Sequence, residues 1–534
     1  MKIIVAILTA WITTSVSGAQ PIDTVKQLDA LFSRWNNATP GAAIAIQRGE
    51  NLIYNKAFGL SDLEHNVPNT PETIFESGSV AKQFTAAAIL MLAVDGQLNL
   101  QDDIRKFIPE LPVYDAPITI QHLLNHTSGL KDWGSVGALT GWPRTTRVYT
   151  QALALDIMSK QTSLNFKPGS KYSYSNSNYS LLATIVERVS KKSLAQFTDS
   201  VFFKPLGMHH TQWRDNFREV VPDRAIAYSG HENNYRQLMP FENIHGHGGL
   251  LTTTGDLLKW NKLLETKTIV GETVAQWRIQ KGKVNDGTEI SYAAGLFIGE
   301  VNEYLEISHS GATAGYRAWL AYYPQKKLSI AILSNDAGMG GIWQQVAAIF
   351  FGPPVQSVPV KPTHFITLGE DQKKAWSGVY KLVDGFDVIR LEYHDTKLIS
   401  NGHELSALHQ DTLYHDHFYW IRTSPKEIIL KTPRGMGTYE QMEDADLKTE
   451  SLRQFTGLYF SAEADATYRI TLAEKSLTLH IMPGLVQVLT PLYRNGFRDE
   501  DFNHYEFKKD KKGKVIGLEV STGRALNVPF KKNY

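Results

Sequence analysis

A proline-rich segment divides this chain into two parts of different character. Residues 352–362 contain four prolines in eleven positions. Such a density cannot continue a helix or a central strand, because proline fixes φ and has no N–H to donate. We therefore predict a stiff linker here. A chain of 534 residues is also too long for one hydrophobic core, so two or three domains are expected.

The part before the linker mixes helical and strand patterns. Residues 79–94 are apolar on all sides, which indicates a buried helix that ends at Gly96. Other helices are predicted at 23–35, 180–189 and 254–264, a hairpin at 42–57, and late strands at 296–300, 317–323 and 328–334. This order favours an α+β domain in which helices flank an antiparallel sheet.

The part after the linker has the pattern of an all-β structure. Short runs of alternating polarity, such as 387–393 and 468–472, are separated by turn residues. The sequence aromatic–hydroxyl–Gly–apolar–Tyr occurs at 376–380 and again 79 residues later at 455–459. We interpret this echo as the start of two related small barrels, with one larger β domain as the alternative.

Ser79 and Lys82 stand at the start of the predicted buried helix. Residues three apart on a helix share a face, so the hydroxyl and the amine can meet. The helix N-terminus adds unpaired N–H groups and a positive dipole end. A nucleophile, a nearby amine and part of an oxyanion hole thus fall within one turn.

Two later segments carry polar residues that fit the same site. Tyr174 and Asn176 follow a Pro-Gly turn, and alternate residues on an extended stretch point the same way. His309 and Gly311 precede a strand-like run along which a substrate can lie.

Together these three motifs resemble the serine β-lactamase and penicillin-binding superfamily, on its class C-like side. The His-x-Gly form of the third motif is similar to D-aminopeptidases and related esterases that carry C-terminal lipocalin-like barrels. Residues 123–130 and 248–256 also resemble this superfamily, and the resemblance spans about residues 25–350. It implies a multidomain hydrolase with a β-lactamase-like catalytic domain. The expected bounds are a signal peptide at 1–19, the hydrolase domain at 20–352, the linker at 353–368 and lipocalin-like barrels at 369–447 and 448–534.

The resemblance also implies a role for each motif residue. Ser79 is the expected nucleophile, and either Lys82 or Tyr174 is the base; the class C-like pattern favours Tyr174. Asn176 is expected to hold the substrate amide or Lys82. The backbone N–H groups of Ser79 and of Ala312, which follows His309 and Gly311, are expected to form the oxyanion hole.

The substrate expectation rests on His309. Relatives that bind substrates with a carboxylate usually place a lysine there, and histidine is mostly neutral at pH 7. This favours aminopeptidase, amidase or esterase action over strong β-lactamase or carboxypeptidase action, although Arg317 could supply the missing charge. The alternatives are a β-lactamase, a slow penicillin-binding or D-Ala-D-Ala carboxypeptidase-type protein, and a binding protein whose barrels carry the function.

Composition excludes several other classes of protein. With no cysteine, thiolate catalysis and cysteine-ligated metal are ruled out. A net charge of +1 gives no field that attracts nucleic acid. The histidine pairs 122/126, 245/247 and 415/417 lack a convincing third ligand, so neither a metal nor another cofactor is expected.

The N-terminus predicts export. Met1-Lys2, an apolar stretch at 3–16 and the small residues 17–19 describe a secretory signal peptide, with cleavage after Ala19. The alternative is a retained membrane anchor, although the apolar stretch is shorter than the ~20 residues of a spanning helix. The mature protein is expected in a periplasm or outside the cell, without a stable membrane span. Its partners are expected to be small peptide, amide, ester or β-lactam substrates, and oligomers are compatible with the sequence. We also expect a loop of the β-rich part to reach the mouth of the site and limit substrate size.

Overall fold

The computed structural model describes residues 21–142, 145–231, 234–353, 361–433, 435–446 and 448–533. The predicted signal peptide and much of the proline-rich segment lie outside these ranges. In the part that is described, none of the helices is long and apolar enough to cross a membrane.

The first part of the chain is the predicted α+β domain. Its helices are α1 (Pro21–Phe32), α2 (Lys82–Val94), α3 (Ile120–Leu124), α4 (Trp133–Ala138), α5 (Gln151–Ser159), α6 (Asn176–Ser190), α7 (Leu194–Thr198), α8 (Lys204–Leu206), α9 (Thr254–Thr266), α10 (Gly271–Ile279) and α11 (Ile342–Phe351). Its strands are β1 (Ala42–Arg48), β2 (Asn51–Phe58), β3 (Leu60–Asp62), β4 (Val67–Pro68), β5 (Phe75–Glu76), β6 (Gln212–Trp213), β7 (Tyr228–Ser229), β8 (Arg236–Gln237), β9 (Leu250–Thr252), β10 (Phe297–Val301), β11 (Tyr304–Thr313), β12 (Tyr316–Tyr323) and β13 (Leu328–Ser334).

A six-stranded antiparallel sheet, in the order β10-β11-β12-β13-β1-β2, organises this domain. Side chains alternate across it: Ala318 and Leu320 join the core that contains α2, whereas Trp319 joins the core that contains α1 and α11. Helix α2 is buried on nearly every side, as its sequence predicts. The sheet and α2 thus hold the serine turn against β11.

Two sequence boundaries near the site need correction. Ser79 does not begin an α-helix: residues Gly78–Ala81 form a 3-10 turn, and α2 starts at Lys82. The helix predicted from residue 180 begins at Asn176, so Tyr174 and Asn176 do not lie on one extended stretch. Ser175 has extended backbone between them and turns the chain into α6.

The second part contains two β-sheet units, each entered through a short helix. The first comprises α12 (Glu370–Trp376), β14 (Gly378–Leu382), β15 (Val388–His394), β16 (Lys397–Ser400), β17 (His403–Glu404), β18 (Ser406–His409), β19 (Thr412–His415), β20 (Phe418–Ser424), β21 (Glu427–Thr432) and β22 (Gly435–Met442). The second comprises α13 (Thr449–Arg453), β23 (Gly457–Ser461), β24 (Ala466–Ala473), β25 (Ser476–Met482), β26 (Leu485–Tyr493), β27 (Gly496–Arg498), β28 (His504–Lys509), β29 (Val515–Thr522) and β30 (Ala525–Asn533).

The second unit is a closed eight-stranded barrel, whereas the first is a nine-stranded sheet with β17 and β18 at its ends. The first unit was expected to be a barrel, whereas its described strands form one continuous sheet. The backbone N–H of Ile366 donates to the carbonyl of Ala407 in β18, at one end of this sheet. Both sheets lie inside the expected ranges 369–447 and 448–534, and the domain bounds themselves stay a prediction.

The sequence echo has a structural counterpart in both units. The Tyr380 hydroxyl donates to the carbonyl of Trp376 at 3.1 Å, and the Tyr459 hydroxyl donates to the carbonyl of Phe455 at 2.7 Å. Each bond ties the first strand of a sheet to the end of the helix before it.

The closed barrel packs directly on the catalytic domain. Its buried residues, including Tyr468 and Phe530, belong to the same apolar cluster as α2, whereas the nine-stranded sheet has a core of its own. The Tyr468 hydroxyl donates to the carbonyl of Leu139 just after α4, at 3.0 Å. The barrel is therefore part of the surroundings of the site.

Candidate active site

The turn Gly78–Ala81 carries the predicted nucleophile Ser79, is called the nucleophile turn below, and is built for close backbone approach. Gly78 adopts φ +50°, a conformation that favours glycine, and brings Ser79 to the mouth of α2. Ser79 is partly exposed, while Gly78 and Val80 beside it are buried. The amide of Ser77 donates to the carbonyl of Leu250 in β9 at 2.9 Å, which fixes the start of the turn.

Lys82 lies directly below Ser79 and is fully buried. Its Nζ donates to Ser79 Oγ at 3.1 Å, to Asn176 Oδ1 at 2.9 Å and to the carbonyl of His247 at 2.7 Å. Three acceptors match the three donors of an ammonium group. This arrangement favours the charged form of Lys82 and holds its charge beside the serine hydroxyl.

Tyr174 lies in the loop before α6 with its ring against charged and aromatic groups. The ring centroid is 4.8 Å from Lys82 Nζ and 4.2 Å from the centroid of the His126 ring. The phenol oxygen is buried and makes no hydrogen bond of normal geometry within the described residues. Burial raises the pKa of Tyr174, and the neighbouring Ser79 opposes that rise. The phenol is therefore neutral at rest.

Asn176 is positioned by an aspartate that sequence analysis did not single out. Its backbone N–H donates to Asp132 Oδ2 at 2.7 Å, and its side-chain oxygen accepts from Lys82. The other oxygen of Asp132 accepts from Gly134 and Ser135 and caps α4. Asp132 thus links the start of α4 to the start of α6 behind the site.

Strand β11 passes the nucleophile turn at very short range. A Cβ at Gly311 would lie 2.0 Å from the carbonyl oxygen of Ser77 and 3.1 Å from the amide nitrogen of Ser79. A Cβ at Gly78 would lie 2.7 Å from the amide nitrogen of Ala312. Only glycine fits at these two positions. The close approach of the two backbones that glycine permits places the amides of Ser79 and Ala312 near each other.

His309 is buried below the cleft, with only 2% of its surface exposed. Its Nδ1 lies 2.6 Å from the carbonyl of Ser310, and its Nε2 lies 3.1 Å from the Tyr292 hydroxyl. The carbonyl can only accept, so Nδ1 carries the proton and Nε2 accepts from tyrosine. Burial, followed by repulsion from Lys82, lowers the pKa of His309 to about 3. The imidazole is a neutral packing group.

Arg317 does not replace the missing charge beside His309. In the β11–β12 register, His309 is paired with Leu320, whereas Arg317 is paired with Ala312. Paired residues share a face, so Arg317 lies on the face of the sheet away from α2. Its guanidinium donates to the carbonyls of Ala314 and Tyr316 at the hairpin tip.

The structure thus brings Ser79, Lys82, Tyr174 and Gly311 together. Comparisons with known proteins identify the family to which this arrangement belongs. The Beta-lactamase family model matches residues 22–345, more than half of the chain. The chain belongs to the beta-lactamase family. The predicted superfamily and its serine-hydrolase class are confirmed at this level, and the finer D-aminopeptidase-like branch stays a prediction.

The chain is similar in sequence to a curated protein and in fold to two solved structures. Penicillin-binding protein 4* of Bacillus subtilis (strain 168) is 28% identical over 373 residues, which cover 65% of this chain and 80% of that protein. The octameric penicillin-binding protein homologue from Pyrococcus abyssi is 24% identical with a TM-score of 0.54, over 86% of this chain and 98% of that chain. The D-amino acid amidase from Ochrobactrum anthropi SV3 is 20% identical with a TM-score of 0.52, over 61% and 98% respectively. The two solved structures share the fold.

Sequence analysis missed three groups near the beta-lactamase-family motifs. The His247 carbonyl and Asp132 contact Lys82 and Asn176 as described above. The third is Arg524 in the turn between β29 and β30, whose Cζ is 4.9 Å from the Tyr174 ring centroid. A backbone carbonyl leaves no trace in side-chain pattern, and Arg524 comes from the far end of the chain.

The His122/His126 pair makes structural contacts. His122 takes part in the N-terminal cap of α3 with Thr119, and His126 lies beyond the helix at φ +56°, so the pair lacks helical metal-ligand geometry. His126 Nδ1 lies 2.9 Å from Asn178 Nδ2. On the surface, Asp62, Glu64 and His65 bring ligand atoms within 4.8 Å of one another, but such exposed acidic groups are common without a metal.

Proposed function

We propose that this protein is an exported serine hydrolase that cleaves amide, peptide or ester bonds through an acyl-enzyme, in the manner expected of D-aminopeptidase-like esterases. One observation carries the proposal. Ser79 Oγ accepts a hydrogen bond from the buried Lys82 at 3.1 Å, in a turn that faces the glycine-lined backbone of β11. A hydroxyl, a cation and two converging amides are the parts that acyl transfer needs.

Acylation begins with loss of the Ser79 proton. Tyr174 is the acceptor in the molecules whose phenol is ionised, and the nearby charge of Lys82 favours that form. Because burial keeps the phenol mostly neutral, the fraction of ionised Tyr174 grows as the pH rises, and the rate rises with it. Ser79 Oγ then bonds to the substrate carbonyl carbon, whose oxygen gains the negative charge.

The amides of Ser79 and Ala312 are proposed to stabilise that oxyanion. Tyr174 then returns its proton to the leaving nitrogen or oxygen as the substrate bond breaks. In the second half-reaction water gives a proton to Tyr174 and attacks the acyl carbon, and Ser79 leaves with that proton. Lys82 stays charged throughout, and Asn176 holds it in place through the bond at 2.9 Å.

The neutral state of His309 supports a substrate without an acidic group beside the scissile bond. A buried imidazole with a pKa of about 3 offers no charge to a carboxylate. The alternative is a β-lactamase or a slow penicillin-binding or carboxypeptidase-type protein. It is favoured by a different observation, the guanidinium of Arg524 beside Tyr174, because a cation at the mouth of the site attracts an anionic substrate.

A parallel rate assay tests the function. Purified protein is mixed with p-nitrophenyl butyrate, D-alanine p-nitroanilide or nitrocefin, and Ser79→Ala is the inactive reference. Ser310→Ala is the control, because Ser310 is exposed on the other face of β11. Fast ester and anilide turnover with slow nitrocefin supports the proposal. Fast nitrocefin turnover supports the alternative, and residual activity of Ser79→Ala rejects both.

Export and assembly are separate proposals. The basic, apolar and small-residue pattern of residues 1–19 supports removal of a signal peptide. The mass of the protein recovered from its native host tests this, since cleavage after Ala19 leaves Gln20 at the N-terminus. Because the Pyrococcus abyssi homologue is octameric, we also propose that this chain forms oligomers, which sedimentation velocity tests.

A further inference from the structure

The turn that carries Arg524 is fixed to the catalytic domain by its own backbone. The amide of Arg524 donates to Ser135 Oγ at 3.2 Å. Its carbonyl accepts from the amide of Asp132 at 3.1 Å and from Asn165 Nδ2 at 3.0 Å. The neighbouring Leu526 donates to Asn165 Oδ1 at 2.8 Å. Bonds on both sides of Arg524 therefore hold it in a defined position beside the site.

The Arg524 side chain extends from this anchor over Tyr174. Its Cζ lies 4.9 Å from the ring centroid, nearly the distance of Lys82 Nζ at 4.8 Å. Nη1 is 4.0 Å from Asp132 Oδ2, and 48% of the side chain is exposed. Two cations from distant parts of the chain thus flank one phenol, and the second comes from the barrel.

The charges around Tyr174 leave these cations as the main electrostatic influence. The facing groups are Lys82 from α2, Asp132 before α4, Arg524 from the barrel, and the neutral side chains His126, Tyr172, Tyr292 and His309. The carboxylate of Asp132 already accepts three backbone N–H bonds. Its charge is therefore largely compensated, and the guanidinium lies at the outer limit of an ion pair with it.

We propose that Arg524 is a positioning residue contributed by the C-terminal barrel, whose guanidinium stabilises the phenolate of Tyr174 when that oxygen accepts the Ser79 proton. The inference rests on the proposed acyl-enzyme function. In each half-reaction the proton moves to Tyr174 and back, so Arg524 gains and loses no proton itself. Its effect is on the fraction of Tyr174 that is ionised, which makes the barrel necessary for a fast serine attack at neutral pH.

The test is the pH dependence of acylation. The burst of p-nitrophenol from p-nitrophenyl acetate, a neutral substrate, is measured from pH 6 to 10 in the wild type, Arg524→Gln and Arg524→Lys. Loss of the charge moves the rising limb of the Arg524→Gln profile to higher pH by about one unit. A nearby opposite charge shifts a pKa by about one to three units, and we expect the lower value because the Arg524 side chain is half exposed. Below the limb the burst slows about tenfold. Arg524→Lys restores most of the rate.

Ser135→Ala is the matched control, because it removes one docking bond of the same turn and leaves the guanidinium in the chain. Its limb stays at the wild-type pH. If Arg524→Gln slows the burst while both profiles level off at the same pH, or if it only raises KM for substrates with a carboxylate, the proposal is wrong and Arg524 acts in docking or in substrate binding. If Arg524→Gln does not fold, Arg524→Ala takes its place in the same comparison, with the same upward shift of the limb expected.

The wild-type burst separates this proposal from the proposed function. If neither p-nitrophenyl acetate nor any of the three assay substrates is hydrolysed at any pH, and none acylates Ser79, the acyl-enzyme function itself is wrong. If a burst is seen but its rising limb lies at the same pH in the wild type and in Arg524→Gln, only the inference about Arg524 is wrong.

Discussion

Lys131 of the catalytic domain and Glu463 of the C-terminal barrel form a buried ion pair, with Nζ and Oε2 2.9 Å apart and side-chain exposures of 0% and 5%. The second carboxylate oxygen accepts from the amide and hydroxyl of Thr162, and Lys131 also donates to Ser163. Lys131 immediately precedes Asp132, which holds the start of α6. Docking of the barrel and placement of the Tyr174–Asn176 motif therefore depend on one short segment.

Glu463→Gln is expected to destabilise the protein by about 3–5 kcal/mol, because it leaves a buried lysine charge without its partner. Urea unfolding measures the change. The double variant Lys131→Met/Glu463→Leu removes both charges and should recover most of the loss. Asp156→Asn is the control: its ion pair with Lys160 is exposed and should contribute less than about 1 kcal/mol. Equal losses in the single and double variants would contradict the account.

Gly311→Ala is expected to lower kcat by about 10²–10³, the usual effect of losing one oxyanion donor. The new Cβ would meet the Ser77 carbonyl at 2.0 Å, so β11 and the amide of Ala312 must move away from Ser79. Steady-state ester hydrolysis measures the effect. Gly299→Ala in β10 of the same sheet has open space around the new Cβ and should leave kcat unchanged. Wild-type activity in Gly311→Ala would remove Ala312 from the site.

Stability should fall in acid partly through His309. Its pKa is about 3 in the folded protein, below the ordinary 6.5, so the unfolded chain binds the extra proton between these values. The stabilisation is complete above pH 6.5 and is lost as the pH falls, by about 1.4 kcal/mol per pH unit for one proton. Urea unfolding from pH 7 to 4.5 should therefore show a shallower loss for His309→Gln. Parallel curves would mean that His309 is not held neutral.

Tyr380→Phe and Tyr459→Phe are expected to destabilise their own sheet units by about 1 kcal/mol each, the net value of a buried hydrogen bond. Both variants remove a bond from the first strand to the aromatic residue four positions earlier. Hydrogen exchange at β14 and at β23 measures each unit separately. An effect in only one unit would mean that the two echoed segments are not equivalent.

The sequence predicted the parts of the site that depend on local spacing. Ser79 and Lys82 meet because they are three residues apart at a helix start, and Gly311 was placed by its motif. Tyr174 and Asn176 do reach the same site, but through a turn at Ser175 and the first residue of α6 rather than through one extended strand. The predicted contact between Ser79 and Lys82 is therefore correct even though the predicted start of α2 is not.

The parts that sequence could not predict depend on contacts between distant segments. Asp132 accepts from the backbone N–H of Asn176, and His247 offers its own backbone carbonyl to Lys82. No periodicity in the sequence marks either role. Arg524 is an ordinary surface arginine in sequence, and only docking of the barrel brings it to Tyr174. Strand patterns predict the strands of the first β unit, but they do not show whether its first and last strands pair with each other, which decides closure.

The most direct test of the central claim is intact-protein mass spectrometry after rapid mixing with p-nitrophenyl butyrate, followed by peptide mapping. The account predicts one added butyryl group per chain, located on Ser79 and absent in Ser79→Ala. An adduct on another residue, or ester turnover that Ser79→Ala retains, would contradict the acyl-enzyme mechanism.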